Sequence, residues 1–531
     1  MLDYIIRNVN IVDGSGEPGY RADIGIRGGK ITFCTETEAK CSIDGTDYMV
    51  MPGFIDSHSH ADTIACHDVC GFALPKISQG VTTEITGQCG ESPFPVPPDM
   101  VEVQREQLQS FMAKEVNEHL KEFTGFQQYA EYVKSLPMVH NLAFNCGHSS
   151  LRSSVMGFAQ RKPDVAEMKQ MKKLLAQAME QGCFGLTSGL VYNPGLYADT
   201  EELMELCKVI KPYHGIYATH IRNESNHSVE AVAEAITVAE SAEVPLIISH
   251  HKVSGSRNSH LQIKCRKLIE QARNRGVRIA VDQYPYTATS TSLISIIPPK
   301  YFKNSMTELL DSFHDPVTRK EIFATMQTDI DSYENEYFDS DGFDNIYIMS
   351  SPNDKQACGL SITGYAEQIG MEPVDAFFEL LIRNEGNVLA TFMEIPEDVV
   401  DDIYQYEYTM IGSDGLLTLD DLPVHPRAYG TFVHTLCHFV KDKKCISLEQ
   451  AVKKQTSQTA SFWGIPNKGL LKEGYDADLL LIDYDNLKDL SSYTNSRQLC
   501  RGIEKVFVSG QIVYENGSLT GRTPGGVILH K

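Results

Sequence analysis

Eight short runs rich in β-branched and small residues recur along the chain, separated by stretches whose apolar residues keep helical spacing. The runs fall at Phe54 to His58, Val81 to Thr86, Asn141 to Cys146, Gly185 to Leu190, Ile216 to His220, Leu246 to His250, Arg278 to Gln283 and Met410 to Asp414. Between them, Met168, Met171, Leu174, Leu175 and Ala178 form one amphipathic face, and Val229, Val232, Ile236 and Ala239 form another. Eight such units predict an α/β fold closed as a β/α barrel, with its chemistry at the C-terminal strand ends.

The two ends of the chain read differently. Strand-like runs at Tyr4 to Val12 and Ile24 to Ile31 are broken by Asp13-Gly-Ser-Gly and by Gly28-Gly29-Lys30. Asp478-Leu-Leu-Leu-Ile-Asp, Val506-Phe-Val-Ser-Gly and Gln511-Ile-Val-Tyr repeat that pattern near the C-terminus. A small β domain assembled from both ends follows, with residues 1–52 as its N-terminal part. Residues 53–420 form the barrel, and 421–531 a barrel-closing segment plus the rest of the β domain. From about Leu293 to Asp344 the alternation fails in text rich in Asp, Tyr, Phe and Ser, which predicts an inserted subdomain or lid.

With 531 residues, 42% of them hydrophobic, the chain can bury one large core and at least one smaller one. Its formal charge of −23 repels phosphate backbones and anionic membrane surfaces, so nucleic acid is excluded as the expected partner. That charge does not describe the active site, since a small positive pocket can sit inside a negative molecule. No apolar run approaches the roughly 20 residues that cross a bilayer, and Met1-Leu-Asp-Tyr-Ile-Ile-Arg lacks a signal-peptide pattern, which predicts a cytoplasmic protein. The 13 cysteines are scattered singly and are expected to be mostly reduced and buried.

Polar residues cluster at the strand ends. Asp56-Ser-His58-Ser-His60 points two imidazoles the same way, which is half a metal site. Thr86-Gly-Gln-Cys89-Gly90 places a thiol in a glycine-flanked turn at the barrel mouth. Ala218-Thr-His220 and Ser249-His250-His251-Lys252 each add an imidazole, and Gly412-Ser-Asp414-Gly adds a carboxylate. Taken singly, each has a bland reading: a satisfied histidine, an inert buried thiol, a turn aspartate. Converging on one opening from five strand ends, they predict a metal site, and imidazole with thiolate suits zinc better than magnesium or calcium. Zinc would lower the pKa of a bound water to about 7 and polarise a carbonyl. Asp414 is then the base that takes the water's proton and returns it to the leaving amine.

These motifs resemble the N-acyl-D-amino-acid deacylases, or D-aminoacylases, of the amidohydrolase superfamily. The resemblance rests on Met51-Pro-Gly-Phe-Ile-Asp-Ser-His-Ser-His, Thr86-Gly-Gln-Cys-Gly, Gly185-Leu-Thr-Ser-Gly-Leu-Val-Tyr, Ser249-His-His-Lys, Tyr284-Pro-Tyr, Gly412-Ser-Asp-Gly and His425-Pro-Arg-Ala-Tyr-Gly-Thr-Phe. It spans nearly the whole chain. Many superfamily members bridge two metals with a carboxylated lysine on the fourth strand; Gly185-Leu-Thr-Ser-Gly-Leu has no lysine, and Cys89 is present.

The resemblance implies a distorted TIM-type (β/α)8 barrel with a small β-sandwich domain built from both termini, marked at its return by Gly469-Leu-Leu-Lys-Glu-Gly-Tyr-Asp-Ala-Asp. It implies a tightly held zinc on Cys89, His220 and His250, and a second, weaker site on His58, His60, Cys89 and Asp414. It further implies that Lys252, Tyr284, Ser290 and Arg427 hold the substrate's carboxylate and that Tyr192 lines the site. The expected reaction is hydrolysis of a small N-acyl-D-amino acid, with D-selectivity resting on the resemblance alone. A cyclic-amide hydrolase or dipeptidase of the same superfamily is the nearest rival, and a non-catalytic scaffold the remote one. A homo-oligomer is compatible with the chain, and the sequence does not reveal its number.

Overall fold

The computed structural model describes residues 1–33, 38–63, 69–108, 119–302, 305–417 and 421–531. The expected boundary at 420 lies outside these residues. Five strands come first: β1 (Leu2–Ile11), β2 (Tyr20–Arg27), β3 (Lys30–Thr32), β4 (Ala39–Asp44) and β5 (Met49–Pro52). The barrel strands follow as β6 (Phe54–Asp56), β7 (Val81–Thr86), β8 (Asn141–Phe144), β9 (Cys146–Gly147), β10 (Gly185–Gly189), β11 (Ile216–His220), β12 (Leu246–Ile248) and β13 (Ile279–Gln283). Then come β14 (Thr289–Ser292), β15 (Ile346–Ser350), β16 (Leu389–Phe392), β17 (Thr409–Ile411), β18 (Leu479–Ile482), β19 (Ile503–Val508), β20 (Gln511–Glu515), β21 (Ser518–Leu519) and β22 (Val527–Ile528).

All eight expected runs are strands of one parallel barrel. Parallel pairing runs from β6 through β7 to β8, and from β9 through β10, β11, β12 and β13 to β17. Strands β8 and β9 are two halves of one strand, interrupted at Asn145. The ring closes where the Ser57 amide donates to Ile411 O at 3.1 Å, the Asp414 amide donates to His58 O at 2.8 Å, and Ser59 bridges Gly415 in parallel. At the interruption the barrel is splayed: β22 pairs with β8, and the His530 amide donates to Gly182 O, so the C-terminal tail fills the gap beside β10. This is a distorted TIM-type (β/α)8 barrel.

Helices cover the outside for the reasons the periodicity implies. Helix Val165–Glu180 buries Met171, Leu175, Ala178 and Met179. It begins in a capping box in which the Asp164 carboxylate accepts from the Ala166 and Glu167 amides, a device worth about 1 kcal/mol. Inside, Ile55, Ile85, Ala143, Ala218, Ile247, Ala280 and Met410 meet Trp463 in a buried plug at the barrel's lower end.

The termini build one nine-stranded sheet in the order β21-β20-β19-β18-β5-β1-β2-β3, with β4 added to β1. The sheet curls over a core of Ile6, Val9, Ile24, Val50, Leu479 and Phe507, and its far edge returns where Lys30 bridges Asp476. The sandwich is therefore a single sheet folded on itself.

Between β13 and β17 lies the inserted unit. Its three-stranded antiparallel sheet, β14-β16-β15, carries a core of its own that runs from Leu293 to Phe392, well past the expected end at residue 344. Strand β14 leads directly off the barrel rim, so this unit forms one wall over the strand ends.

Candidate metal centre

The rim residues owe their positions to sharp turns after the strands. Cys89, His250 and Asp414 have φ of 52°, 33° and 49°, a left-handed backbone that non-glycine residues seldom adopt and that concentrates at functional sites. Gly412 permits one of these turns, because a Cβ there would stand 2.6 Å from the His58 Cβ.

The side chains converge. Donor atoms of His58, Cys89, His250 and Asp414 lie within 4.8 Å of one another, as do those of His220, Glu224 and His250. Cys89 Sγ is 3.3 Å from both His58 Nε2 and His250 Nε2, and His58 Nε2 is 3.5 Å from Asp414 Oδ1. His60 Nε2 reaches the same Asp414 oxygen at 3.1 Å. All six residues expected as ligands thus surround one opening. His250 stands in both groups, with Cys89, His58 and Asp414 on one side and with His220 and Glu224 on the other.

The donor set fits zinc. Two donors about 2.1–2.3 Å from a tetrahedral zinc are about 3.4–3.8 Å apart, close to the observed spacings. Among the described residues neither ring nitrogen of buried His220 makes a hydrogen bond, and its Nε2 stands 3.5 Å from Glu224. Burial pushes His220 down to about 3 and, with Lys252 nearby, holds His250 well below the usual imidazole range, so both offer neutral nitrogens. Burial raises the Cys89 thiol to about 11 against the opposing pull of His58, so a metal must displace its proton. Burial would also lower His58, but Asp282 and Cys89 outweigh it and raise it. At Asp414, burial is overcome by Arg427, His250 and His60, which keep it a carboxylate.

A surrounding layer aims these ligands. Glu224 Oε1 is 3.0 Å from His250 Nδ1, fixing which nitrogen faces the centre. Asp282 Oδ1 accepts the His250 amide at 2.6 Å and stands 3.3 Å from His58 Nδ1. Beneath, fully buried Lys76 ties Asp56 (2.6 Å), Glu84 (3.1 Å) and Ser413 Oγ (2.5 Å) together across the closing seam. Glu224, Asp282 and Lys76 were not among the residues expected from the sequence. Asp282 carried a signal, being a carboxylate inside the apolar run Ile279-Ala-Val-Asp-Gln.

Tyr192, Lys252, Tyr284, Ser290 and Arg427 all line one cavity of about 260 Å³ together with His60, Cys89, His220, His250 and Asp414. Arg427 Nη1 is 2.9 Å from Asp414 Oδ2, its Nη2 donates to Ser290 O at 2.9 Å, and its guanidinium lies 4.7 Å from the Tyr284 ring centre. The Tyr192 ring packs 5.1 Å from His220. Lys252 is engaged within the protein by Glu224 and by both O and Nδ1 of His250, each at 3.1 Å.

A model of the amidohydrolase family matches residues 42–332 and 408–514, passing over most of the inserted unit. The chain is 32% identical to a D-aminoacylase of Alcaligenes xylosoxydans xylosoxydans, over 99% of this chain and 97% of that one. It is 30% identical to an N-acyl-D-glutamate deacylase of the same organism, over 99% and 96%. It is also similar to the crystal structure of N-acyl-D-glutamate deacylase from Bordetella bronchiseptica complexed with zinc and a phosphonate inhibitor, with 28% identity, complete coverage of both chains and a TM-score of 0.82.

Proposed function

The chain belongs to the amidohydrolase family, and from that membership and its rim geometry we propose that it hydrolyses the amide bond of N-acyl-D-amino acids to a carboxylate and a free D-amino acid. The observation that carries this reading is Asp414, whose one oxygen faces the donor cluster while the other is gripped by Arg427 inside the cavity. That contact supports a reading in which proton transfer and recognition of a substrate carboxylate occur side by side.

Zinc held by Cys89, His250, His220, His58, His60 and Asp414 supplies an acidified water and a polarised carbonyl when bound. Asp414 takes the proton as the water oxygen bonds to the acyl carbon, then delivers it to the amide nitrogen as the C–N bond breaks. Arg427 offers its remaining donors to the α-carboxylate, with Tyr284 and Ser290 beside it. Lys252 contributes charge from beneath and holds Glu224 and His250 in place. Tyr192 walls the cavity against His220.

Cys41, Cys89, Cys146, Cys183, Cys207, Cys265, Cys437, Cys445 and Cys500 are free thiols, which supports a reducing, cytoplasmic setting. No described helix is long and apolar enough to cross a membrane.

The test is a panel of linear N-acyl-D-amino acids against cyclic amides and L,L-dipeptides, with zinc-loaded wild type and Arg427→Ala. Turnover confined to linear acids with a free α-carboxylate, and lost in the variant, supports the proposal. Turnover of cyclic amides alone overturns it.

A further inference from the structure

The cavity that receives the substrate has a second wall, contributed by the inserted unit, and that wall is acidic. Glu334, Glu336 and Glu394 all line it. They come from distant parts of the sequence: Glu336 starts a short helix, Glu334 precedes it by two residues, and Glu394 lies two residues beyond β16. Packing of the insert against the barrel rim brings them together.

No Lys, Arg or His among the described residues pairs with any of the three. The cations that line the same cavity are engaged elsewhere: Arg222 with Glu234 at 2.9 Å, Lys252 with Glu224, and Arg427 with Asp414 at 2.9 Å. Among the described residues the three carboxyls make only neutral hydrogen bonds. Glu334 accepts the Glu224 amide at 3.1 Å, Glu336 accepts Ser295 Oγ at 2.7 Å, and Glu394 Oε1 accepts Thr289 Oγ1 at 2.8 Å. Glu394 is only 5% exposed, and its Oε2 is buried with no hydrogen-bond partner among the described residues. An unpartnered carboxylate oxygen at such a site costs free energy unless something arrives to meet it.

We propose that the cavity is built for a substrate that carries a positive charge beyond its scissile amide, an ammonium or guanidinium received by Glu334, Glu336 and Glu394. This rests on the deacylase reading and names its substrate class. Such a group turns three acceptors without a cation into charge-assisted pairs, the strong class of hydrogen bond. The location agrees. Thr289, which donates to Glu394, precedes Ser290, whose carbonyl anchors Arg427, so Glu394 stands next to the α-carboxylate clamp where a substrate side chain emerges. Burial raises all three carboxyls, Glu336 to about 7; neighbouring carboxylates, among them Glu224 and Asp339, add to it, Lys252 opposes it at Glu334 and Glu336, and a bound cation offsets both burial and repulsion. An acidic side chain of the kind named for the D-glutamate deacylases would meet like charge on this wall.

The cation could be carried on the amino-acid side chain or on the acyl part, and the experiment separates these sources. Zinc-loaded enzyme is assayed with N-acetyl-D-lysine, N-acetyl-D-arginine, N-acetyl-D-norleucine, N-acetyl-D-glutamate and glycyl-D-norleucine. The expected result is a kcat/KM about 10- to 100-fold higher for a cationic substrate than for N-acetyl-D-norleucine, the worth of one charged hydrogen-bonded pair, with N-acetyl-D-glutamate poorest. E336Q and E394Q should each shrink the cationic-to-norleucine ratio by a similar factor. Preference for the lysine and arginine substrates places the charge on the side chain, and preference for glycyl-D-norleucine places it on the acyl part. Hydrolysis of norleucine or glutamate substrates with no cationic preference overturns this inference and leaves the deacylase reading standing. Failure to hydrolyse any of the five overturns both.

Discussion

Asp414 Oδ2 lies 2.9 Å from the Arg427 guanidinium while its Oδ1 lies 3.1 Å from His60 Nε2, so one carboxylate joins the donor cluster to the cation that would hold the substrate. A base in that position must accept a proton yet remain ionised between turnovers, and the surrounding positive charge keeps it so. Asp414→Asn keeps the shape and removes the base. We expect kcat to fall by about 10²–10⁴-fold while the variant still binds zinc, measured by steady-state kinetics beside metal analysis.

Glu224 touches His250 from behind and fixes its ring. Glu224→Gln keeps a hydrogen bond but loses the charge that orients the imidazole. Zinc affinity or activity should drop by about 10–100-fold, read by competition with a chelator. An unchanged affinity with unchanged kcat would remove Glu224 from the positioning role.

Lys76 bridges Asp56, Glu84 and Ser413 where the first and last barrel strands meet. Lys76→Met strands two buried carboxylates and should destabilise the fold by about 3–5 kcal/mol in denaturant unfolding.

Glu336 is raised to about 7 in the folded protein, above the carboxylate value of an unfolded chain. With a folded value above the unfolded one, the unfolded state releases its proton first, so this group lowers stability as pH rises from about 4 to about 7. Glu336→Gln should therefore raise the melting temperature at pH 8, by an amount equivalent to about 1–2 kcal/mol, and leave it nearly unchanged at pH 4. Equal shifts at both pH values would contradict this.

Much of the fold was legible because strand periodicity and helix periodicity are local properties. Phe54 to His58 and Leu246 to His250 could be recognised as strands ending in ligand-type residues without knowing which strands pair. Cys89 and Asp414 became meaningful only jointly with the histidines. Glu224 was not legible, because a glutamate in the polar loop after His220 reads as solvated until the fold brings it against His250. Lys76 looked like an ordinary helical lysine, since its three partners come from elsewhere in the chain. The insert's end was missed because the text rich in Asp, Tyr, Phe and Ser stops near Asp344, whereas the insert's sheet continues into β15 and β16, which pair antiparallel. Its acidic wall depends on the packing of residues 334–336 and 394 against the rim, a long-range fact that periodicity does not carry.

The most direct measurement is amine release from matched N-acetyl-D- and N-acetyl-L-amino acid pairs, using wild-type protein of measured zinc content and Cys89→Ala. The account predicts release from the D series only, proportional to bound zinc and lost when Cys89 is replaced. Release from the L series instead, or D-specific release that persists after zinc is removed, would contradict it.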